Sequence, residues 1–170
     1  DVFVETGRQG VLFDVGDDTP ERFDGEPSQP YNVLPHPLLM NFKSARVVIQ
    51  PQADRVALAL DPPLADVQID NQVQLVAGPC RHGAQGLLVR DVPGGGEAAG
   101  SPGVKVRVSG VYSAGCGEQA VYAAVLGHRE YIHAVFKTIW QAAGGLFGGQ
   151  TRLQRGGAQS QPWLEWVSPR

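Results

Sequence analysis

The sequence predicts a mainly β, α+β fold: an antiparallel sandwich or barrel of roughly seven to nine short strands, with one long helix in the C-terminal half packed on a face. Three observations predict it. The 22 glycines and 13 prolines make up about a fifth of the 170 residues, so the chain turns often and its strands are short. Through the middle of the chain, apolar and polar residues alternate at period two, the signature of a sheet with one wet face. From Cys116 to Ala143 the apolar residues change to three-then-four spacing, which predicts a helix.

The elements follow in order. Residues 2–5 and 10–15 are strand-like, with Gly7-Arg8-Gln9-Gly10 as the turn between them. Residues 16–30 carry six charged side chains and three prolines and predict an irregular acidic loop. Pro35 and Pro37 exclude a regular helix or a central strand over residues 31–42. Strands are predicted at 45–50, 55–60, 65–70 and 72–77, separated by Pro51-Gln52, Asp61-Pro62-Pro63 and Asp70-Asn71. Another is expected at 86–92. The stretch 93–103, rich in Gly and Pro, reads as an exposed connection. Residues 104–112 then alternate Val104, Val106 and Val108 with Lys105, Arg107 and Ser109.

The predicted helix places Val121, Val125, Ile132, Val135, Phe136 and Ile139 on the core, with Arg129, Glu130, Lys137 and Gln141 in water. Gly144-Gly145 ends it. A single β-rich domain over residues 1–143 is therefore expected, followed by a glycine-rich tail over 144–170 that closes in a short aromatic strand. In that strand Trp163, Leu164, Trp166 and Val167 are the candidate binding residues.

Charge is uneven. Residues 1–30 hold eight acids against two arginines, and residues 101–170 hold three acids against seven bases, although the net charge is only −3. Such a dipole supports self-association or a charged partner, or marks a solvated acidic arm. No basic run with interleaved aromatics predicts a nucleic-acid surface, and no apolar run is long enough for a membrane-spanning helix. The first residue, Asp1, predicts a processed product: a secreted protein after signal removal, a polyprotein segment or an excised piece.

Cys80 and Cys116 are the only cysteines. In an oxidising compartment they can form one disulfide; in a reducing one they read as two small buried hydrophobes. Metal binding has little support: Cys80-Arg81-His82 lacks partners at ligand spacing, and His128 and His133 are five apart instead of four. The acids of the 14–24 segment lack the calcium-loop pattern. Gly94-Gly95-Gly96 opens no helix, so a phosphate cradle is not expected. No cofactor is predicted.

Ser113-Ala114-Gly115-Cys116-Gly117 resembles the Gly-X-Cys-Gly neighbourhood of the nucleophile in chymotrypsin-like viral cysteine proteases, shortened here to Gly115-Cys116-Gly117. The resemblance covers about five residues. It implies a double-barrel hydrolase with Cys116 as nucleophile, His36 as base and Asp54 or Asp61 as the acid. Against it stands a non-enzymatic structural or interaction module that acts by assembly or partner binding, as a virion, phage or cell-envelope subunit, oligomeric and extracytoplasmic or virion-associated.

Overall fold

The structure, a computed structural model, describes residues 2–5, 25–26, 28–36, 39–93 and 104–154. The expected strand at 10–15, most of the acidic segment, the glycine-rich connection and Trp163, Leu164, Trp166 and Val167 lie outside those residues.

The fold is mainly β with one helix, the class the sequence predicts. The period-two pattern of the middle region builds two three-stranded sheets. In the first, β2 (Ala45–Pro51) lies between β3 (Val56–Asp61) and β7 (Gln119–Ala123), antiparallel to both. Ala45, Val47 and Ile49 point inward from β2 and are buried, while Arg46, Val48 and Gln50 point away. In the second, β6 (Val104–Gly115) lies between β4 (Val67–Pro79) and β5 (Leu88–Pro93). Val106, Val108 and Tyr112 of β6 are fully enclosed. The inner faces of the two sheets share one apolar core with Tyr131, Ala134 and Val135 of the helix α1 (His128–Ala142). A small pair completes the described fold, β1 (Val2–Glu5) beside β8 (Thr151–Gln154).

Three features differ from expectation. First, the strand directions are mixed: β4 runs parallel to β6, and β1 runs parallel to β8. Second, Asp70-Asn71 does not break the chain. Residues 67–79 form one strand because each residue from Val67 to Val76 finds a partner on β6, and a continuous ladder outweighs a local turn preference. In place of the turn, Asn71 sends its Nδ2 to the carbonyl of Val56 at 2.7 Å.

Third, the helix starts twelve residues later than Cys116. Gly117, at φ +65°, allows the chain to double back, and residues 119–123 pair with β2 as a strand. Val121 and Val125 therefore belong to a strand and a loop. Their spacing fits a helix face by coincidence, because short apolar runs do not separate the two periods. The buried face of α1 is also rotated. His128, Tyr131, Ala134 and Val135 are buried, Ile132 and Phe136 are half-buried, and Ile139 is 64% exposed. Tyr131 sets this rotation: its ring is enclosed and its hydroxyl donates to the Ser44 carbonyl at 3.0 Å.

Candidate functional site

The N-terminal ends of β4 and β6 meet the first half of α1, and this junction is polar. The link from β3 to β4 brings Asp66 into the left-handed region at φ +62°, a conformation Asp tolerates better than most residues. The same link is pinned to α1 by Thr138, whose Oγ1 accepts from Ala65 N at 2.9 Å and donates toward the carbonyls of Pro63 at 3.0 Å and Ala134 at 2.8 Å. Asp66 is thereby aimed at the helix, where its Oδ2 accepts from Lys137 Nζ at 2.6 Å and lies 3.7 Å from His133 Nε2.

The other side of His133 meets β8. After α1, Gly144 at φ +86° turns the chain, and Phe147 packs edge-on against Phe136. That return carries Thr151 to the helix, where its Oγ1 lies 3.0 Å from His133 Nδ1. One turn earlier on α1, Arg129 donates through Nε and Nη2 to Glu130 Oε1 at 2.9 and 2.6 Å. Between these groups lies a cavity of about 330 Å³, with Ala65, Val67, Val104 and Ala134 among its apolar walls and Asp66, Arg129, Glu130, His133, Thr151 and Arg152 supplying polar ones.

The opposite ends of β4 and β6 are built differently. Cys80 and Cys116 are bridged, with Cα atoms 4.4 Å apart, which decides between the two alternatives the cysteine count allows. Ser113, buried beside the bridge, accepts at Oγ from the amides of Arg81 and His82 at 3.3 and 3.1 Å, and Gln119 Oε1 accepts from Ala84 N at 2.8 Å. The loop over residues 80–86 is thus fastened to β6 and β7 by covalent and buried polar links.

The hydrolase residues are placed as follows. Cys116 carries no thiol, because its sulfur is joined to Cys80. His36 stacks on His128, with ring centroids 4.1 Å apart. Asp54 sits exposed in the β2–β3 turn, closed by Gln52 N donating to the Arg55 carbonyl at 2.7 Å, and Asp61 pairs with Arg46 at 3.4 Å. In the bridge, Cys116 has no thiolate for a base to activate. Among the described residues no His, Cys, Asp and Glu group of three or more is arranged to hold a metal ion. No helix among them is long and apolar enough to cross a membrane.

Sequence reasoning missed the cavity. Arg129, His133 and Lys137 are spaced four apart on one helix face, a signal visible in the sequence. Their partner Asp66 is 71 positions from Lys137, and nothing local announces that pairing.

Several exposed aromatic side chains lie elsewhere. Asn41, Phe42 and Lys43 all have φ near +50°, and this strained turn is held from inside: Ser44 Oγ donates to Asn41 O at 2.7 Å, Asn41 Nδ2 donates to Ser44 O at 3.1 Å, and Tyr131 braces the same carbonyl. The turn presents Phe42 60% exposed, two residues after exposed Met40 and three before β2 begins. Tyr122 of β7 is 58% exposed and aligns with Arg46, and Tyr31 is exposed a few residues from Ser28, whose carbonyl accepts from Ala124 N at 2.7 Å.

No family model matches this sequence, and no curated protein does. Among solved structures the fold is similar to penicillin binding protein 4 (dacB) from Haemophilus influenzae, at a TM-score of 0.54 and 15% identity over 85% of this chain. The chain spans 30% of that protein's length. A second structure of that protein, complexed with a novel β-lactam, aligns more loosely, at a TM-score of 0.43 and 15% identity over 71% of this chain and 26% of the other. At this identity the likeness is one of fold.

Proposed function

We propose that this chain is a non-enzymatic β-rich module that acts by assembly or partner binding, as an accessory part of a larger cell-envelope protein of the penicillin-binding type. The observation that carries the proposal is the exposure of three aromatic side chains, Tyr31, Phe42 and Tyr122. Three successive non-glycine residues in the left-handed region cost free energy, and here that cost turns a Phe outward instead of inward. Exposed aromatic side chains are common anchors of contact surfaces. The fold likeness supports the same reading, since 85% of this chain corresponds to only 30% of a much longer protein. The Cys80–Cys116 bridge suits an oxidising compartment outside the cytoplasm. The acidic first thirty residues and the basic last seventy supply a charge dipole for head-to-tail contact.

The test uses the whole chain. In sedimentation runs over a range of concentrations the protein is expected to self-associate reversibly, and the double variant Phe42→Ser/Tyr122→Ser is expected to remain folded and monomeric. Deleting residues 162–170 asks whether the tail contributes to the same association. A fluorescent penicillin is expected to leave the isolated chain unlabelled. A monomer at every concentration, or covalent labelling of the chain by itself, would overturn the proposal.

A further inference from the structure

We propose that the exposed apolar end of α1 is the dock for this chain's own C-terminal segment, with Trp163, Leu164, Trp166 and Val167 seated on Ile139, Trp140 and Leu146. The dock is one connected patch. Phe136 stacks on Trp140 with ring centroids 5.7 Å apart, and Phe147 meets Phe136 edge-on at 5.3 Å. Trp140 Nε1 donates to the Leu146 carbonyl at 3.3 Å, and a Cβ on Gly145 would collide with the indole, so the turn after the helix is wrapped closely on that ring. This wrapped turn nevertheless leaves Leu146 98%, Ile139 64% and Trp140 39% exposed. A pinned backbone that holds adjoining large apolar side chains in water has the form of a contact surface.

The place where the chain leaves the described residues points to the occupant. Thr151, the first residue of β8, and Phe147 of the patch both touch His133: Thr151 Oγ1 lies 3.0 Å from its Nδ1, and the Phe147 ring centroid lies 5.6 Å from its own. The chain therefore enters β8 on the flank of α1 that carries the patch. Trp140 is two turns beyond His133, roughly 10 Å along the helix. Residues 155–170 follow β8. Arg155 to Pro162 hold no large apolar side chain, and the aromatic and apolar residues of this stretch begin at Trp163. The path from Gln154 to Trp163 reaches up to about 30 Å, enough to return to Trp140. A tether of this length also holds its end at roughly millimolar effective concentration, which favours the chain's own segment over a free partner. The contact lies within one chain, so it holds whether or not the chain associates.

The experiment is acrylamide quenching of Trp140 fluorescence in two full-length variants that leave it the sole tryptophan. Trp163→Phe/Trp166→Phe keeps the segment aromatic, whereas Trp163→Ser/Leu164→Ser/Trp166→Ser/Val167→Ser makes it polar. A docked segment shields the indole from the quencher, so the quenching constant is expected to be about twofold or more larger in the serine variant. Leu146→Asp, added to the phenylalanine variant at a side chain almost wholly in water, should raise the constant to the serine value. Circular dichroism checks that each variant is folded. At concentrations where sedimentation gives a monomer, the difference is expected to persist on dilution. Equal quenching in the phenylalanine and serine variants, or no change with Leu146→Asp, would overturn the proposal. So would protection that vanishes on dilution, which would assign the patch to a second copy.

Discussion

The parallel strands β4 and β6 share one backbone ladder, but its two ends have different surroundings. At their C-terminal ends, where Pro79 faces Gly115, the contact is covalent and backbone-tight: the Cys80–Cys116 bridge, the buried Ser113, and strands so close that a Cβ on Gly115 would come within 2.5 Å of the Gly78 carbonyl. At their N-terminal ends, where Val67 faces Val104, the backbone ladder runs without a shift and a cavity lined by α1 and β8 lies beside it. A bolted end can bear load but has no room for a ligand. A polar, open end gives up packing and gains groups that can respond to one. The comparison assigns covalent holding to the cysteines and ion pairing across elements to the charged cluster.

The largest expected effect is at the bolted end. The bridge spans 36 residues, so replacing both cysteines with Ser should cost about 3–4 kcal/mol in a urea unfolding experiment. Gly115→Ala should cost about 1–3 kcal/mol in the same experiment, because the added methyl meets backbone atoms that cannot step aside. At the open end, Lys137→Ala removes a half-sheltered ion pair with Asp66 and should cost at most about 1 kcal/mol. A larger loss there than at Gly115 would break the contrast between the two ends.

A smaller effect lies midway along the same pair of strands. Asp70 and Arg107 face each other in register, and the Arg107 hydrogen bond at 2.7 Å holds the Asp70 carboxyl below its ordinary value of 3.8, against a weaker opposing push from burial. A carboxyl lowered in the folded state stabilises it above its unfolded pKa, and that contribution disappears as pH falls through the lowered value. Wild type should therefore lose stability below pH 3.8 more steeply than Asp70→Asn in acid titrations followed by circular dichroism. Parallel curves would remove the pair from the account. The smallest effect is expected for Ile139→Ala, within about 0.5 kcal/mol of wild type, because the side chain faces water.

That last expectation also marks where the sequence misleads. Period two and the turn residues placed the strands between residues 45 and 112 to within a few positions, except that the two expected at 65–70 and 72–77 are one, Val67–Pro79. The helix was legible as a helix, and Gly144 as its stop. Its start and its buried face were not, since Val121 and Val125 continue the spacing while belonging to the strand that doubles back from Gly117. The parallel pairing of β4 with β6 left no local mark. The candidate cavity needed the fold itself, because Asp66 reaches Lys137 and Thr151 reaches His133 only after the chain has closed.

The covalent fastening of the strand ends is tested most directly by intact mass after the native protein is treated with iodoacetamide in the absence of reductant. No added mass is expected, because Cys80 and Cys116 are joined. A single adduct confined to Cys116 would contradict it, returning a reactive thiol to the site from which the structure removes it.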